Sequence, residues 1–267
     1  ALLRRLLSFH THTGAFEPTL LAGNVGLRAL KVSGLVDATW PKKGFPELRY
    51  LDLSWNEGVT QVDFLRQLPK LETLRLDCTQ VTNLAPAGTL RQLRELHADL
   101  TPVKKLPDRR MDSLKLARLM GTKLTASQVN HFEQLNPEAE VWFDWVKPLR
   151  QALLNVTEVR VRSGGTCHRI PEKEKLLARV GDARAIQALV AAIEIEESES
   201  AFHCMCCGDI TLEFYAGDQQ VAMLGLHHGR SIRWPGNWPA DAMLSTRGGR
   251  ALFAWLEKHG VKLPKRS

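Results

Sequence analysis

The stretch FHCMCCG, residues 202–208, holds Cys204, Cys206 and Cys207 within four positions. Two other segments carry the same chemistry: Cys167-His168 after a Gly164-Gly165 turn, and His227-His228 at the end of an alternating run. Thiolates and imidazoles are zinc ligands, and a structural site takes about four of them. Cys167, Cys204, Cys207 and one of His227 or His228 supply that number. Zinc is the cofactor expected if they converge, because it suits mixed ligation and needs no redox partner. Two other readings stay open. Cysteine is among the most buried residue types, so plain packing accounts for the thiols as well. A thiol beside an imidazole also begins a nucleophile or redox centre, with His227, His228, Glu213 and Asp241 as candidate bases and orienting groups. CxCC is not a common zinc-ribbon spacing, and no CxxC pair recurs. The three segments hold four of the 5 cysteines and four of the 9 histidines, each near a strand end or turn, which predicts that they meet in one cluster.

Elements that position them are legible from periodicity. Val159–Arg162 alternates as a strand. Gly181-Asp182 caps a helix over 183–193, whose apolar residues recur at helical spacing. Three strands follow over 210–215, 221–226 and 231–234, a β-meander divided by Gly217-Asp218 and His228-Gly229. A helix from about Gly249 to His259 ends at Gly260. Helix and sheet are segregated, so this half reads as α+β. Arg230 and Arg233 stand beside Trp234 and Trp238, a set that suits single-stranded nucleic acid and equally a hairpin closed by core tryptophans. No phosphate-cradling glycine loop supports the former, so nucleic acid is not the expected partner. Through FHCMCCG, LGLHHG and RW this half resembles a bacterial domain to which no activity attaches.

A repeat fills the first half. Leu27-x-x-Leu30-x-Val32 recurs from Leu48, Leu71, Leu93 and Leu114, with starts 21, 23, 22 and 21 residues apart. Asn56, Thr79, Thr101 and Thr122 stand three places beyond the last apolar residue. The leucines turn inward and stack between coils, and the Asn or Thr satisfies backbone groups where the chain leaves the strand. This pattern resembles the bacterial leucine-rich repeat family, in its short internalin-like form, over roughly residues 25–145. A helix over 125–135 and a strand over 137–143 read as the closing cap.

Alternation then assigns the outward columns. They carry Tyr50, Asp52, Trp55, Arg75, Asp77, Glu95, His97, Asp99 and Arg118, along with Leu116 and Met120. A solvated face accounts for the mixed charge, but aromatic and arginine residues are the usual anchors of interfaces. A protein partner on this face is therefore expected. Acid–base catalysis by His97 beside Glu95 and Asp99 is not, since a flat open sheet rarely excludes water.

The 267 residues suffice for two domains, and 44% hydrophobic with 24% charged residues fits a globular chain. The formal charge of +7 argues for loose affinity for polyanions and not for a dedicated site. No apolar run is long enough to cross a bilayer. ALLRRLL at residues 1–7 is broken by two arginines and is not expected to act as a signal-peptide core. Five cysteines, an odd number with three crowded together, suit reduced thiols in a cytoplasm better than a disulfide framework. The expected fold class is an α/β leucine-rich repeat solenoid followed by a separate α+β domain with an antiparallel β-meander. Its expected divisions are a cap at 1–24, repeats at 25–147 and a Cys/His-containing domain at 148–267. The expected function is protein–protein interaction through the concave repeat face, with a C-terminal sensor or binding domain. The alternative is a thiol- or metal-dependent enzyme or toxin targeted by the repeats.

Overall fold

Inward leucines at a fixed period can be buried only if successive coils stack, and stacking places their strands side by side in parallel. The computed structural model, which describes residues 8–11, 17–32, 34–35, 40–41, 44–167, 169–196 and 206–262, has that sheet. The chain divides into two units, Ala1–Phe143 and Asp144–Ser267.

In the first unit, seven strands lie in sequence order: β1 (Ser8–Thr11), β2 (Ala29–Val32), β3 (Tyr50–Asp52), β4 (Thr73–Arg75), β5 (Glu95–His97), β6 (Leu116–Arg118) and β7 (Glu140–Trp142). All neighbours are parallel, with Leu30, Leu51, Leu74, Leu96, Ala117 and Val141 in register and buried. Helix α1 (Ala126–Leu135) begins at Thr125 in a capping box with Gln128. β1 adds a strand ahead of the expected first repeat, Phe9 pairing with Leu30. On the far side of the coils, short 3-10 turns bury Phe64, Leu65, Pro86 and Ala87.

After β2 to β6 the chain leaves each strand through a left-handed residue: Gly34, Trp55, Cys78, Leu100 and Gly121 all have positive φ, between 56° and 79°. That conformation costs a non-glycine residue about 1 kcal/mol. Glycine at 121 avoids the strain of φ 68° and a Cβ that would press to 2.6 Å on Leu100 Cδ2 unless that side chain turned. The carbonyls stranded just before the turn are satisfied by side chains. Thr79, Thr101 and Thr122 hydroxyls donate to the carbonyls of Leu76, Ala98 and Leu119 at 2.7, 2.6 and 2.8 Å. Asn56 does more: its Nδ2 donates to Val32 O at 2.7 Å and Leu53 O at 2.8 Å, and its Oδ1 accepts from Leu35 N at 2.7 Å.

The second unit is a six-stranded antiparallel sheet ordered β13-β12-β11-β10-β8-β9 beside helices. In chain order its elements are α2 (Val146–Ala152), β8 (Glu158–Ser163), β9 (Leu176–Val180), α3 (Ala183–Ala192), β10 (Ile210–Ala216), β11 (Gln219–His227), β12 (Ser231–Arg233), β13 (Ala242–Met243) and α4 (Thr246–Lys258). One sheet face buries Val159, Val161, Leu212, Phe214, Leu224, Leu226 and Ile232, and α3 and α4 add Ile186, Leu189, Leu252 and Leu256 to the core. Trp145 and Trp238 meet edge to face at 5.7 Å, and the Trp238 indole donates to Trp145 O at 2.9 Å. α4 begins three residues earlier than expected, because Ser245 Oγ caps it by accepting from Gly248 N.

The Asn56 bonds set a graded expectation. Asn56→Ala leaves buried donors and acceptors of two coils unpaired and should cost about 3 kcal/mol, whereas Thr101→Val, which forfeits one bond and keeps the volume, should cost about 1 kcal/mol. Urea unfolding of the full chain checks the order, and equal losses would contradict it.

Candidate functional sites

On the repeat sheet, lateral register lines up Lys31, Asp52, Arg75, His97, Arg118 and Trp142 as a row of neighbours. Its cations pair with carboxylates of the row or of the neighbouring column. Lys31 Nζ lies 3.3 Å from Asp52 Oδ2, which also accepts from the Tyr50 hydroxyl at 3.3 Å. Arg75 Nη2 donates to Asp77 at 3.4 Å, and Arg118 Nε donates to Asp99 Oδ2 at 2.8 Å. The Arg118 guanidinium also sits 5.0 Å over the Trp142 ring, a cation–π contact with a residue the sequence reading did not single out. Trp55, 60% exposed, borders an open recess of about 370 Å³ whose walls include Lys31, Asp52, Arg75 and Asp77.

The assignment of these columns as outward needs correction for some of their residues. Asp52, His97 and Asp99 are buried, and so is Met120, which was expected outside. The carboxylates are buried because they serve the backbone. Asp77 Oδ1 accepts from Asp99 N at 2.9 Å, and Asp99 Oδ1 accepts from Met120 N at 2.8 Å, each reaching the next coil. Burial raises the Asp99 carboxyl to about 6 despite Arg118. The same burial, reinforced by Arg75 and Arg118, drives the His97 imidazole down to about 3. Glu95, the one exposed carboxylate beside it, stands 3.5 Å from Nε2, and neither ring nitrogen makes a hydrogen bond. A neutral, enclosed imidazole is no general acid near neutral pH.

In the second unit the polar face of the sheet carries the chemistry. Register puts Arg160, Arg162, Thr211, Glu213, Gly225, His227, Ser231 and Arg233 on that side. A strap following β8 crosses over it. Gly164 N donates to Asp209 O at 3.2 Å, Thr166 N to Cys207 O at 2.9 Å, and Thr211 Oγ1 to Gly164 O at 3.0 Å. Only glycine fits at 165, where a Cβ would fall 1.4 Å from Cys207 O. Arg169 continues the strap, donating to Glu213 Oε1 at 2.8 Å and pairing with Glu174. Glu213 also accepts from Arg162 Nε at 2.9 Å, so it is an ion-pair anchor and not an orienting group for a thiol.

The strap brings Cys167 to the cysteine segment. Its thiol accepts from Arg233 Nη1 at 3.0 Å. The bond from Thr166 N to Cys207 O sets Cys207 beside it, and burial, followed by the nearby Cys167 sulfur, pushes the Cys207 thiol up. Arg233 is clamped by Asp241, Nε to Oδ1 at 2.6 Å and Nη2 to Oδ2 at 2.9 Å. Cys206 points elsewhere: its Sγ lies 3.1 Å from His227 Nδ1. His227 is wholly buried, and burial, ahead of any charge, pushes its imidazole down. His228 does not join, being exposed at a turn with φ 48°. Cys204 and His168 lie outside the described residues. Among the described residues no group of three or more His, Cys, Asp or Glu side chains is placed to hold a metal ion. The guanidinium against Cys167 is also an unfavourable neighbour for a cation. Sequence reasoning missed Arg233 as the centre of this cluster, although the alternation of Ser231-Ile232-Arg233 already sets it on the face of His227.

No family model matches the chain, and no curated protein matches it. Solved structures resemble part of it. A leucine-rich repeat protein of Leptospira interrogans has 22% identity and TM-score 0.48 over 52% of this chain and 37% of its own. Internalin C2 of Listeria monocytogenes has 23% identity and TM-score 0.42, over 47% of this chain and 56% of its own. An internalin F from the same species has 14% identity and TM-score 0.33, over 48% and 50%. The chain thus spans 37% to 56% of the length of these proteins.

The two shifted groups of the repeat sheet oppose each other in pH. His97 folds with its pKa below the ordinary 6.5, so its contribution to stability climbs from pH about 3 to about 6.5. Asp99 folds with its pKa above 3.8, so its contribution falls from pH about 3.8 to about 6. In the overlap the slopes cancel and the protein should show little dependence. His97→Gln should then lose stability as pH rises from 4 to 6, and Asp99→Asn should gain it, each approaching about 1.4 kcal/mol per pH unit. Urea midpoints across that range read the slopes, and parallel curves for both variants would refute the assignment.

Proposed function

We propose that the first unit is a protein-docking module, built as a leucine-rich repeat solenoid, that binds its partner through the row from Lys31 to Trp142. The carrying observation is the recess beside Trp55: a large aromatic, 60% exposed, stands at the rim of about 370 Å³ walled by paired charges. Those charges are held by neighbours before any partner arrives, which reduces the ordering cost of binding. Interleaved signs favour a protein surface of matching pattern. A phosphate backbone would meet Asp52, Asp77 and Glu95 as well as the cations, which supports the expectation against nucleic acid. Among the described residues no helix is long and apolar enough to cross a membrane. The free thiols of Cys78, Cys167, Cys206 and Cys207 fit a reducing compartment.

A second reading makes the second unit a thiol-dependent enzyme or toxin, favoured by the 3.1 Å contact of Cys206 with His227. Enclosure weighs against it. A Cβ at Gly208 or Gly225 would come within 3.2 or 3.1 Å of His227 Nε2, so backbone closes on the imidazole and leaves little room for substrate. A sensor or binding role for this unit is the better fit.

The docking reading is tested on an identified partner. Proteins captured by the full chain are identified and purified, and their Kd is measured by calorimetry for the chain and three variants. Trp55→Ala should weaken binding about 30-fold, as a central aromatic anchor does, and Arg75→Glu should weaken it too. Arg91→Glu, on an exposed position outside the row, should not. Equal affinities for all variants would remove the face.

A further inference from the structure

The polar face of the second unit sets two cysteines from distant segments side by side, and nothing in the docking role uses them. We propose that Cys167 and Cys207 are a dithiol–disulfide couple that exchanges with small disulfides. Three independent features set the pair. The backbone bond from Thr166 N to Cys207 O, at 2.9 Å, locks the two segments side by side. Gly165 permits that approach, since any side chain there would collide with Cys207 O. Arg233 then reaches Cys167 Sγ at 3.0 Å and Cys206 O at 3.4 Å, anchored from behind by the buried Asp241.

The two thiols differ in access, and that orders the steps. Cys207 is exposed, and Cys167 is half-buried under the strap. Cys207 Sγ attacks one sulfur of an incoming disulfide RSSR′ and expels R′S⁻, leaving a mixed disulfide with RS. Cys167 Sγ then attacks the Cys207 sulfur and expels RS⁻, closing the Cys167–Cys207 bond. The two protein thiols lose two electrons, the substrate disulfide gains them, and the two thiol protons end on the released thiolates. Arg233 favours the second step by donating to the sulfur that must carry negative charge. Reversal by excess small thiol reopens the pair. Cys206, turned toward His227, takes no part.

The couple is independent of the docking face, and its test touches only the second unit. The full chain, freed of metal with a chelator and fully reduced, is equilibrated in buffers of graded oxidised to reduced glutathione. Free thiols are then alkylated, and the linkages are mapped by peptide mass spectrometry. Two thiols should vanish together in one two-electron transition, with Cys167 linked to Cys207. Cys167→Ser should stop the reaction halfway, leaving Cys207 joined to one glutathione. Cys207→Ser should slow glutathione attachment at Cys167 at least tenfold. Cys78→Ser, in the other unit, should behave as the parent. The parent's linkage map needs no variant to fold. A bond involving Cys204 or Cys206, Cys207 left as a mixed disulfide in the parent, or all five thiols left unreacted would each overturn the proposal.

Discussion

The first unit depends on one contact repeated from coil to coil: a carboxylate that accepts the backbone N–H of the next coil. Asp77 does this for Asp99, and Asp99 for Met120. Each coil must turn left-handed just there, and such a turn strands amides that a sheet ladder would otherwise use. A neutral hydroxyl satisfies the carbonyl on the other side of the turn, but an amide needs an acceptor. Aspartate provides one at a desolvation cost, which Arg118 offsets for Asp99 with a 2.8 Å bond. Arginine on this face is therefore structural before it is functional. The surface left for a partner is what these pairs do not consume: the Trp55 rim, Tyr50, Glu95 and the outer edge of Arg75.

The second unit solves a different problem with the same residue types. Its sheet has one apolar face, and the other must be covered without a second helical layer. Arg162 and Arg169 meet on Glu213, and Arg233 meets Asp241, so the strap is held to the sheet by charge-assisted bonds and by β-like pairing at Cys207. Such a cover leaves polar side chains enclosed but near solvent, which is where thiols can stay accessible without being dissolved in a core.

The sequence disclosed the repeat because a period of 21 to 23 residues survives exchange of individual leucines. It hid β1 because Leu6-x-x-Phe9-x-Thr11 keeps the spacing but replaces two of the three signature residues. Pro148 suggested a break near 147, yet it lies in the first turn of α2, where its missing N–H has no partner to lose. β9 escaped notice because Leu176 and Leu177 are consecutive and both exposed, so the edge strand shows no alternation. Within the sites, membership of the repeat columns was readable from alternation, but burial was not. Nothing in the order of residues says that Asp99 bonds the next coil, or that Cys206 and Cys207 face different neighbours.

The two buried histidines are both held neutral by their surroundings. His97 lies between Arg75 and Arg118, and His227 sits on the face of Arg233; burial is the first cause of lowered basicity in both. Each stays uncharged at neutral pH, and protonation would put a cation beside an arginine in a space that already excludes water. Neither imidazole is placed as a switch in the range where histidine usually titrates. Among the described residues, Cys167 and Cys207 stand near solvent on the second unit's polar face, and the state of a thiol follows the redox poise of its surroundings. The enclosed imidazole beside Cys206 holds that sulfur toward the sheet, so the exchange proposed above rests on Cys167 and Cys207 and on neither histidine.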